Sequence, residues 1–320
     1  MHEFELINNF FSKLTKHNVS ALNLNDDVFF DKKKKLVISI DTYNIGTHFI
    51  DFKSPDLVIK KILRSSISDL ICKGVKPKFY FISGSGSKNN FTKKNLLKIL
   101  KSLKNEQKKY NISLCGGDTT FSNKLSFSIL SVGFSKNIVK RNNAKIHDDI
   151  YVTGNLGDSY VGLLVLNKKI KFNYNLNDYF EKKYYLPDIK YSLVKKLKNI
   201  ANTSIDISDG LIADLNKLIN NQNLSYNIFL KDIPISKNLS LLIKSKKLSK
   251  KNIVSRGDDY EILFTASKQK RNIIKNISRL TKIKITRIGY IKKNLSKSNV
   301  ISSTGSKISF KNEGYFHTFD

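Results

Sequence analysis

Apolar residues along this chain fall into short clusters with two spacings, one of about three to four residues and one nearly continuous. Ile7, Phe10, Phe11 and Leu14 recur at i, i+3, i+4 and i+7 and predict an opening amphipathic helix. Leu36 to Ile40 reads as a buried strand. Ser54-Pro55 sets a capping hydroxyl ahead of a proline at the first helical position, so a helix is expected to run toward Cys72, with Gly74 closing it. Strands are expected at Lys78 to Ile82, in a short segment ending at Cys115, and at Leu125 to Phe134, with a long helix carrying the stripe Leu96 to Leu103. Gly84 to Asn90 reads as a loop and Gly116-Gly117-Asp118 as a turn.

A polar, basic link from Ser135 to Asp149 interrupts the pattern, and the second half restarts with a strand at Ile150 to Thr153. After the turn Gly154 to Asp158, a helix is expected through Leu163 to Leu166, then an irregular stretch over 168–185. Helices near Ile189 to Leu197, Leu211 to Leu218 and Ile273 to Leu280 alternate with strands ending at Ile207, over Tyr260 to Thr265, around Ile283 to Ile291 and over Val300 to Phe310. No internal period is present. Alternating elements of this kind predict an α/β domain over 1–138 followed by an α+β domain over 139–320.

Length agrees with that division, since 320 residues exceed what one core usually holds. Cys72 and Cys115 form no CxxC pair, and no apolar run approaches the roughly 18 residues of a membrane span, so the protein is expected to be soluble and cytoplasmic. The loudest feature is charge: 57 Lys+Arg against 26 Asp+Glu, a formal +31. An excess of that size suggests nucleic acid or an anionic membrane as partner. Its make-up points elsewhere, because only Arg64, Arg141, Arg256, Arg271, Arg279 and Arg287 are arginine, the residue suited to bidentate phosphate and base recognition. Lysine is instead spread along the whole chain, as solvated surface.

Against this background the acidic residues carry the information. Asp26-Asp27, Asp41, Asp69, Asp118, Asp206 and Asp209 all stand at the ends of expected strands and helices. Each alone is also a turn former or a helix cap. Together they form a set of hard oxygen ligands of the kind Mg²⁺ prefers. Two carboxylates about 4 Å apart repel by roughly 4 kcal/mol at an effective dielectric near 20, so a converging set requires cations. Mg²⁺ commonly bridges one or two carboxylates to substrate phosphates, and Gly116-Gly117 would let backbone amides approach them. Gly84-Ser85-Gly86-Ser87-Lys88 lacks the Walker A spacing.

In order along the chain, these motifs resemble the thiamine-monophosphate kinase family, within the superfamily that also holds aminoimidazole ribonucleotide synthetase. The matching stretches are Phe4 to Ile7, Asn25-Asp26-Asp27, Ser39 to Thr42 with Gly46 to Phe49, Ser68-Asp69-Leu70 with Gly74, and Gly116 to Thr120. The second half adds Tyr151 to Gly154, Leu156 to Ser159, Asp206 to Leu211, Gly257 to Ile262 and Gly314 to His317. The resemblance implies an ATP-dependent phosphorylation of thiamine monophosphate to thiamine diphosphate. It implies Mg²⁺ ligands at Asp26, Ser39, Ile40 through its backbone, Asp41, Asp69, Asp118, Asp206 and Asp209. It further implies ATP contacts at Gly117, Asp118, Arg141 and Ser208, and substrate contacts at His48, Asp258 and Tyr315. The implied fold is that of aminoimidazole ribonucleotide synthetase, with N-terminal strands forming a barrel in a homodimer and the active site between subunits and domains.

This chain departs from the family pattern in having Asn25 for a glycine, Ile40 for a threonine and Asp258 for a glutamate. No dedicated acid or base is expected. A phosphate monoester acceptor is already anionic near neutral pH, and the transfer depends on positioning and charge neutralisation. The competing readings are another enzyme of the superfamily, such as aminoimidazole ribonucleotide synthetase, and a non-catalytic basic nucleic-acid binder. Neither a specific nucleic acid nor a membrane is expected as partner.

Overall fold

Strand alternation and helical stripes build two sheets in the computed structural model, which describes residues 2–294, 297–310 and 313–319. The chain opens with α1 (Glu3–Leu6), which passes into a π turn over Ile7–Phe11 and a 3-10 turn over Ser12–Thr15. The expected amphipathic helix is therefore broken, and Phe10, Phe11 and Leu14 are 61%, 48% and 81% exposed. Helicity in a short segment depends on packing an apolar face, and among the described residues Phe10, Phe11 and Leu14 lie outside the buried clusters.

The first sheet contains β1 (Phe29–Asp31), β2 (Leu36–Asn44), β3 (Pro77–Gly86), β4 (Ser113–Phe121) and β5 (Ser126–Phe134), in the spatial order β1-β2-β5-β3-β4. All neighbours are antiparallel except β3 and β4, whose parallel pairing needs a long crossover, supplied by α3 (Lys93–Tyr110). Helix α2 (Pro55–Cys72) covers one face of β2 and β5, and Val58, Ile59, Ile62, Leu63, Ile67 and Leu70 are buried in that contact.

Two expectations change here. The supposed loop at Gly84 begins as strand, since β3 continues to Gly86 between Phe121 of β4 and Ser126 of β5. Likewise Gly116-Gly117-Asp118 is no turn but the middle of β4, with a register shift opposite Tyr80 and Phe81. Ladder pairing with β3 overrides the turn tendency of glycine, and a Cβ at Gly117 would collide with the Ile82 carbonyl.

The second sheet holds β6 (Asp149–Thr153), β7 (Thr203–Asp206), β8 (Leu224–Phe229), β9 (Ile262–Ala266), β10 (Ile285–Lys293), β11 (Asn299–Ile301) and β12 (Lys307–Ile308), in the order β12-β11-β8-β10-β6-β9-β7. Helices α4 (Asp158–Leu166), α5 (Tyr174–Tyr185), α6 (Val194–Ile200), α7 (Leu211–Leu218), α8 (Lys237–Lys244), α9 (Lys250–Val254) and α10 (Arg271–Thr281) accompany it. Helix α5 replaces the expected irregular stretch. Asn173 caps it by accepting from the Leu176 amide at 3.0 Å, and Phe180, Tyr184 and Tyr185 bury one side despite the Lys and Asn around them. The single strand expected over Val300 to Phe310 is two short ones, β11 and β12.

A single buried cluster crosses between the halves, joining Ile62, Ile67 and Phe127 with Tyr151, Tyr184, Leu193 and Phe264. Arg64 reinforces the junction: its guanidinium donates to both oxygens of Glu106 at 2.8 and 2.9 Å and to the Pro187 carbonyl at 3.2 Å. The second sheet meets α2 through β7, where the Ser204 hydroxyl donates to the Cys72 carbonyl and the Lys73 ammonium donates to the Ser204 carbonyl. None of the described helices is long and apolar enough to cross a membrane.

Candidate functional site

Pressing the second sheet against α2 gathers carboxylates that are remote in sequence. Asp26 and Asp27 precede β1, Asp41 lies within β2, Asp69 occupies the last turn of α2, and Asp206 ends β7. One carboxylate oxygen from each of Asp27, Asp69 and Asp206 lies within 4.8 Å of the other two. Asp206 Oδ2 is buried without a hydrogen-bond partner. Three carboxylates this close, one of them with a buried oxygen left unpartnered, are the hard-oxygen donor set a divalent cation requires.

The electrostatics agree. Burial, foremost, pushes Asp41 up to about 6, although the Tyr43 hydroxyl donates to it at 3.2 Å. Burial followed by the charges of Asp41 and Asp206 holds Asp69 well above the ordinary carboxylate range. Asp206 is raised too, by burial first, against the Ser68 hydroxyl that favours its charged form. All three resist ionisation chiefly because they are buried, and in Asp69 and Asp206 neighbouring carboxylates add to it while Lys73 opposes it.

Three cations already stand among the acids, and sequence reasoning assigned none of them this place. Lys73 sits between Asp26 Oδ1 at 2.8 Å and Asp27 Oδ2 at 2.6 Å. Burial alone would lower its ammonium, but Asp26 and its neighbours outweigh that and hold it raised. Arg141, expected at ATP, is instead turned onto Asp27, pairing through Nη2 and through Nε at 3.3 Å, while its backbone amide donates to Asp26 Oδ2 at 2.9 Å. Lys217 pairs with Asp209 and approaches Asp214 Oδ1 at 3.4 Å. In a chain this rich in lysine, nothing in the sequence distinguishes Lys73 or Lys217 from the lysines on the surface.

The remaining expected ligands fall into two groups. Ser39 is buried on the same face of β2 as Asp41, its hydroxyl donating to the Ser66 carbonyl at 3.4 Å. Ile40 turns its side chain to the opposite face and is 65% exposed, so that side chain has no part in the cluster. Asp118 is exposed on edge strand β4, with β5 and β3 between it and β2, about 14 Å across the sheet at the usual strand spacing. One chain alone does not bring Asp118 or Gly117 to the other aspartates. Ser208 lies in the turn between β7 and α7, its carbonyl accepting from the Asp258 amide at 2.8 Å. A cavity of 310 Å³ opens beside the cluster, lined by Asp26, Arg141, Asn25 and Asn142.

A second constellation adjoins the first. The His48 ring stands 5.4 Å from His317 and edge-on to Tyr43 at 5.7 Å, and Tyr315 packs edge-on to His317 at 5.0 Å. The Tyr315 amide donates to the Asp209 carbonyl at 2.9 Å, which fixes the C-terminal segment across the junction. His48 Nδ1 accepts from the Asn44 amide at 3.0 Å, so in the neutral ring Nε2 carries the proton. Burial, then His317, lowers its pKa and favours that neutral form. Asp258 accepts from Lys61 at 2.9 Å and from the Tyr260 hydroxyl at 3.2 Å; the same Lys61 ammonium lies 3.4 Å from the centre of the Tyr184 ring. The structure therefore brings His48, Asp258 and Tyr315 to one region, and adds His317 and Lys61 to it.

Comparison with known proteins bears on this geometry. Residues 24–135 match the family described as AIR synthase related protein, N-terminal domain. The chain is 37% identical to the thiamine-monophosphate kinase of Buchnera aphidicola subsp. Acyrthosiphon pisum, over 98% of each sequence. It is 33% identical to that of Haemophilus influenzae over 83% of this chain and 81% of the other. Among solved structures, AaThiL complexed with AMPPCP and TMP superposes with a TM-score of 0.85 at 26% identity, covering 99% of this chain and 97% of that one. The thiamine monophosphate kinase of Aquifex aeolicus superposes at 0.80, with 26% identity and 96% and 97% coverage.

Proposed function

We propose, from the premise that the chain belongs to the thiamine-monophosphate kinase family, that it uses ATP to phosphorylate thiamine monophosphate, yielding thiamine diphosphate and ADP. The observation that carries this reading is the meeting of Asp27, Asp69 and Asp206 carboxylates from three separate segments, with Asp206 Oδ2 buried and unpartnered. Support also comes from the similarity to a protein complexed with AMPPCP and TMP.

The reaction is an in-line displacement. A terminal oxygen of the substrate's phosphate forms a bond to the γ-phosphorus, and the bond from that phosphorus to the β,γ-bridging oxygen breaks as ADP departs. The acceptor oxygen is already anionic near neutral pH, so no side chain has to remove a proton. Asp26, Asp27, Asp41, Asp69 and Asp206, with Ser39 and the Ile40 backbone beside them, are the residues that would hold Mg²⁺. When bound, the ions would neutralise the polyphosphate charge that builds in transfer.

The chain's other groups orient the reactants. Arg141 exchanges Asp27 for the nucleotide's phosphates, beside the 310 Å³ cavity that it lines. Ser208 contributes its hydroxyl from the turn before α7, and Asp209, once released by Lys217, joins the phosphate end. At the acceptor, His48 Nε2–H donates to the phosphate, Asp258 faces the cationic ring of the substrate, and Tyr315 stacks on its aromatic part.

Gly117 and Asp118 fit this reading through a second copy of the chain. The face of the first sheet opposite α2 carries Ile40, Leu130 and Phe81 side by side along one row, with Ile40 and Phe81 65% and 39% exposed. An uncovered apolar sheet face favours burial against a partner, and a homodimer closed across it as a barrel would set the partner's edge strand near the cluster. The domain division expected at 138/139 belongs to the same proposal, with residues 1–138 as the ATP- and Mg²⁺-binding, dimer-forming part and 139–320 as the part that completes the active site.

A panel of candidate acceptors incubated with ATP and Mg²⁺, read by product mass, tests the reaction. Thiamine diphosphate and ADP are expected in equal amounts. Turnover of aminoimidazole ribonucleotide precursors with thiamine monophosphate left unchanged would reject the proposal in favour of the sister enzyme.

A further inference from the structure

Lys73 follows the last residue of α2, four positions after Asp69, and its side chain is wholly buried. An ammonium has three N–H donors. Each is taken: Asp26 Oδ1 at 2.8 Å, Asp27 Oδ2 at 2.6 Å and the Ser204 carbonyl at 2.8 Å. Ser204 lies on β7, two residues before Asp206. One fixed charge thus ties together the three segments that bring Asp27, Asp69 and Asp206 within 4.8 Å of one another.

Resting on the metal centre proposed above, we infer that Lys73 is a resident cation of that centre. It holds the carboxylates together before any metal binds, and it occupies charge that a divalent ion would otherwise neutralise. The site is therefore assembled in the metal-free protein, and it binds free divalent ions more weakly than its carboxylates alone would. Lys73 is a positioning residue in this account, since it acts through Asp26 and Asp27 and touches no substrate. Removing one partner of a buried ion pair leaves an uncompensated charge, so deleting Lys73 converts Asp26 and Asp27 into groups that demand a metal.

The test uses the full chain as wild type, Lys73→Gln and Lys73→Met, the first keeping donors without charge and the second removing both. Mn²⁺ binding without nucleotide, followed by electron paramagnetic resonance, is expected to tighten at least tenfold in both variants. Melting in EDTA is expected to fall in the variants and recover with Mn²⁺, while the wild type changes little; a variant that unfolds in EDTA and refolds on adding Mn²⁺ supports the same conclusion. Equal or weaker Mn²⁺ binding in Lys73→Gln, with an unchanged response to EDTA, overturns the role of Lys73 and leaves the metal centre standing. Absence of bound Mn²⁺ in all three proteins overturns the metal centre, and this inference with it.

Discussion

Asp41 is a carboxylate on the strand face that packs toward α2, and burial there pushes it up to about 6 from an ordinary value of 3.8. A folded-state pKa above the unfolded one means that the stability linked to this group is fully present below about pH 4 and lost as the pH rises through 6. In EDTA, Asp41→Asn is therefore expected to melt with the wild type at pH 4 and above it at pH 8, while losing turnover at every pH. Melting curves across that range check the first expectation, and equal melting at pH 8 would contradict it. Residue type and motif order pointed to Asp26, Asp41, Asp69 and Asp206 before any geometry was known. They named Asp26 where the structure groups Asp27 with Asp69 and Asp206, and they did not separate Lys73 from fifty other lysines. The position of a charged atom depends on what lies across the fold, and for Lys73 that is β7, some 130 residues later.

Helix α2 was readable because its signals are local: proline at its start, an apolar stripe, and glycine two residues past its end. Strand β4 and the end of β3 were not, because Gly-Gly and Gly-Ser-Gly favour turns in isolation and become strand only when a ladder partner lies beside them. Helix α5 was hidden by Lys and Asn on its exposed side, although three aromatics mark the buried one. At this scale Arg64 on α2 matters most, since its paired contacts with Glu106 of α3 and with the Pro187 carbonyl bind three segments. Arg64→Ala leaves Glu106 buried and unpaired, and is expected to cost about 3 to 5 kcal/mol. Urea unfolding measures it, and a loss below about 1 kcal/mol would show that the junction does not depend on this pair.

For the molecule as a whole, the uncovered apolar face and the separated Asp118 make one joint expectation. If each active site takes Asp69 from one chain and Asp118 from the other, Asp69→Asn and Asp118→Asn are both inactive as pure proteins. Their mixture, after subunit exchange, regains roughly a quarter of wild-type turnover, because half the dimers are mixed and each mixed dimer has one intact site. No recovery in a mixture shown by native mass spectrometry to contain mixed dimers would place Asp118 with its own chain. The net charge of +31 tells nothing of this arrangement, since lysines scattered over the surface and lysines inside the acid cluster count alike. Family, reaction type and the set of acidic residues were decided along the chain, because short-range spacing and residue chemistry survive without a fold. Which carboxylates meet and which cations stand among them were decided only by the packing of the second sheet against α2, because distances between remote segments exist only in three dimensions.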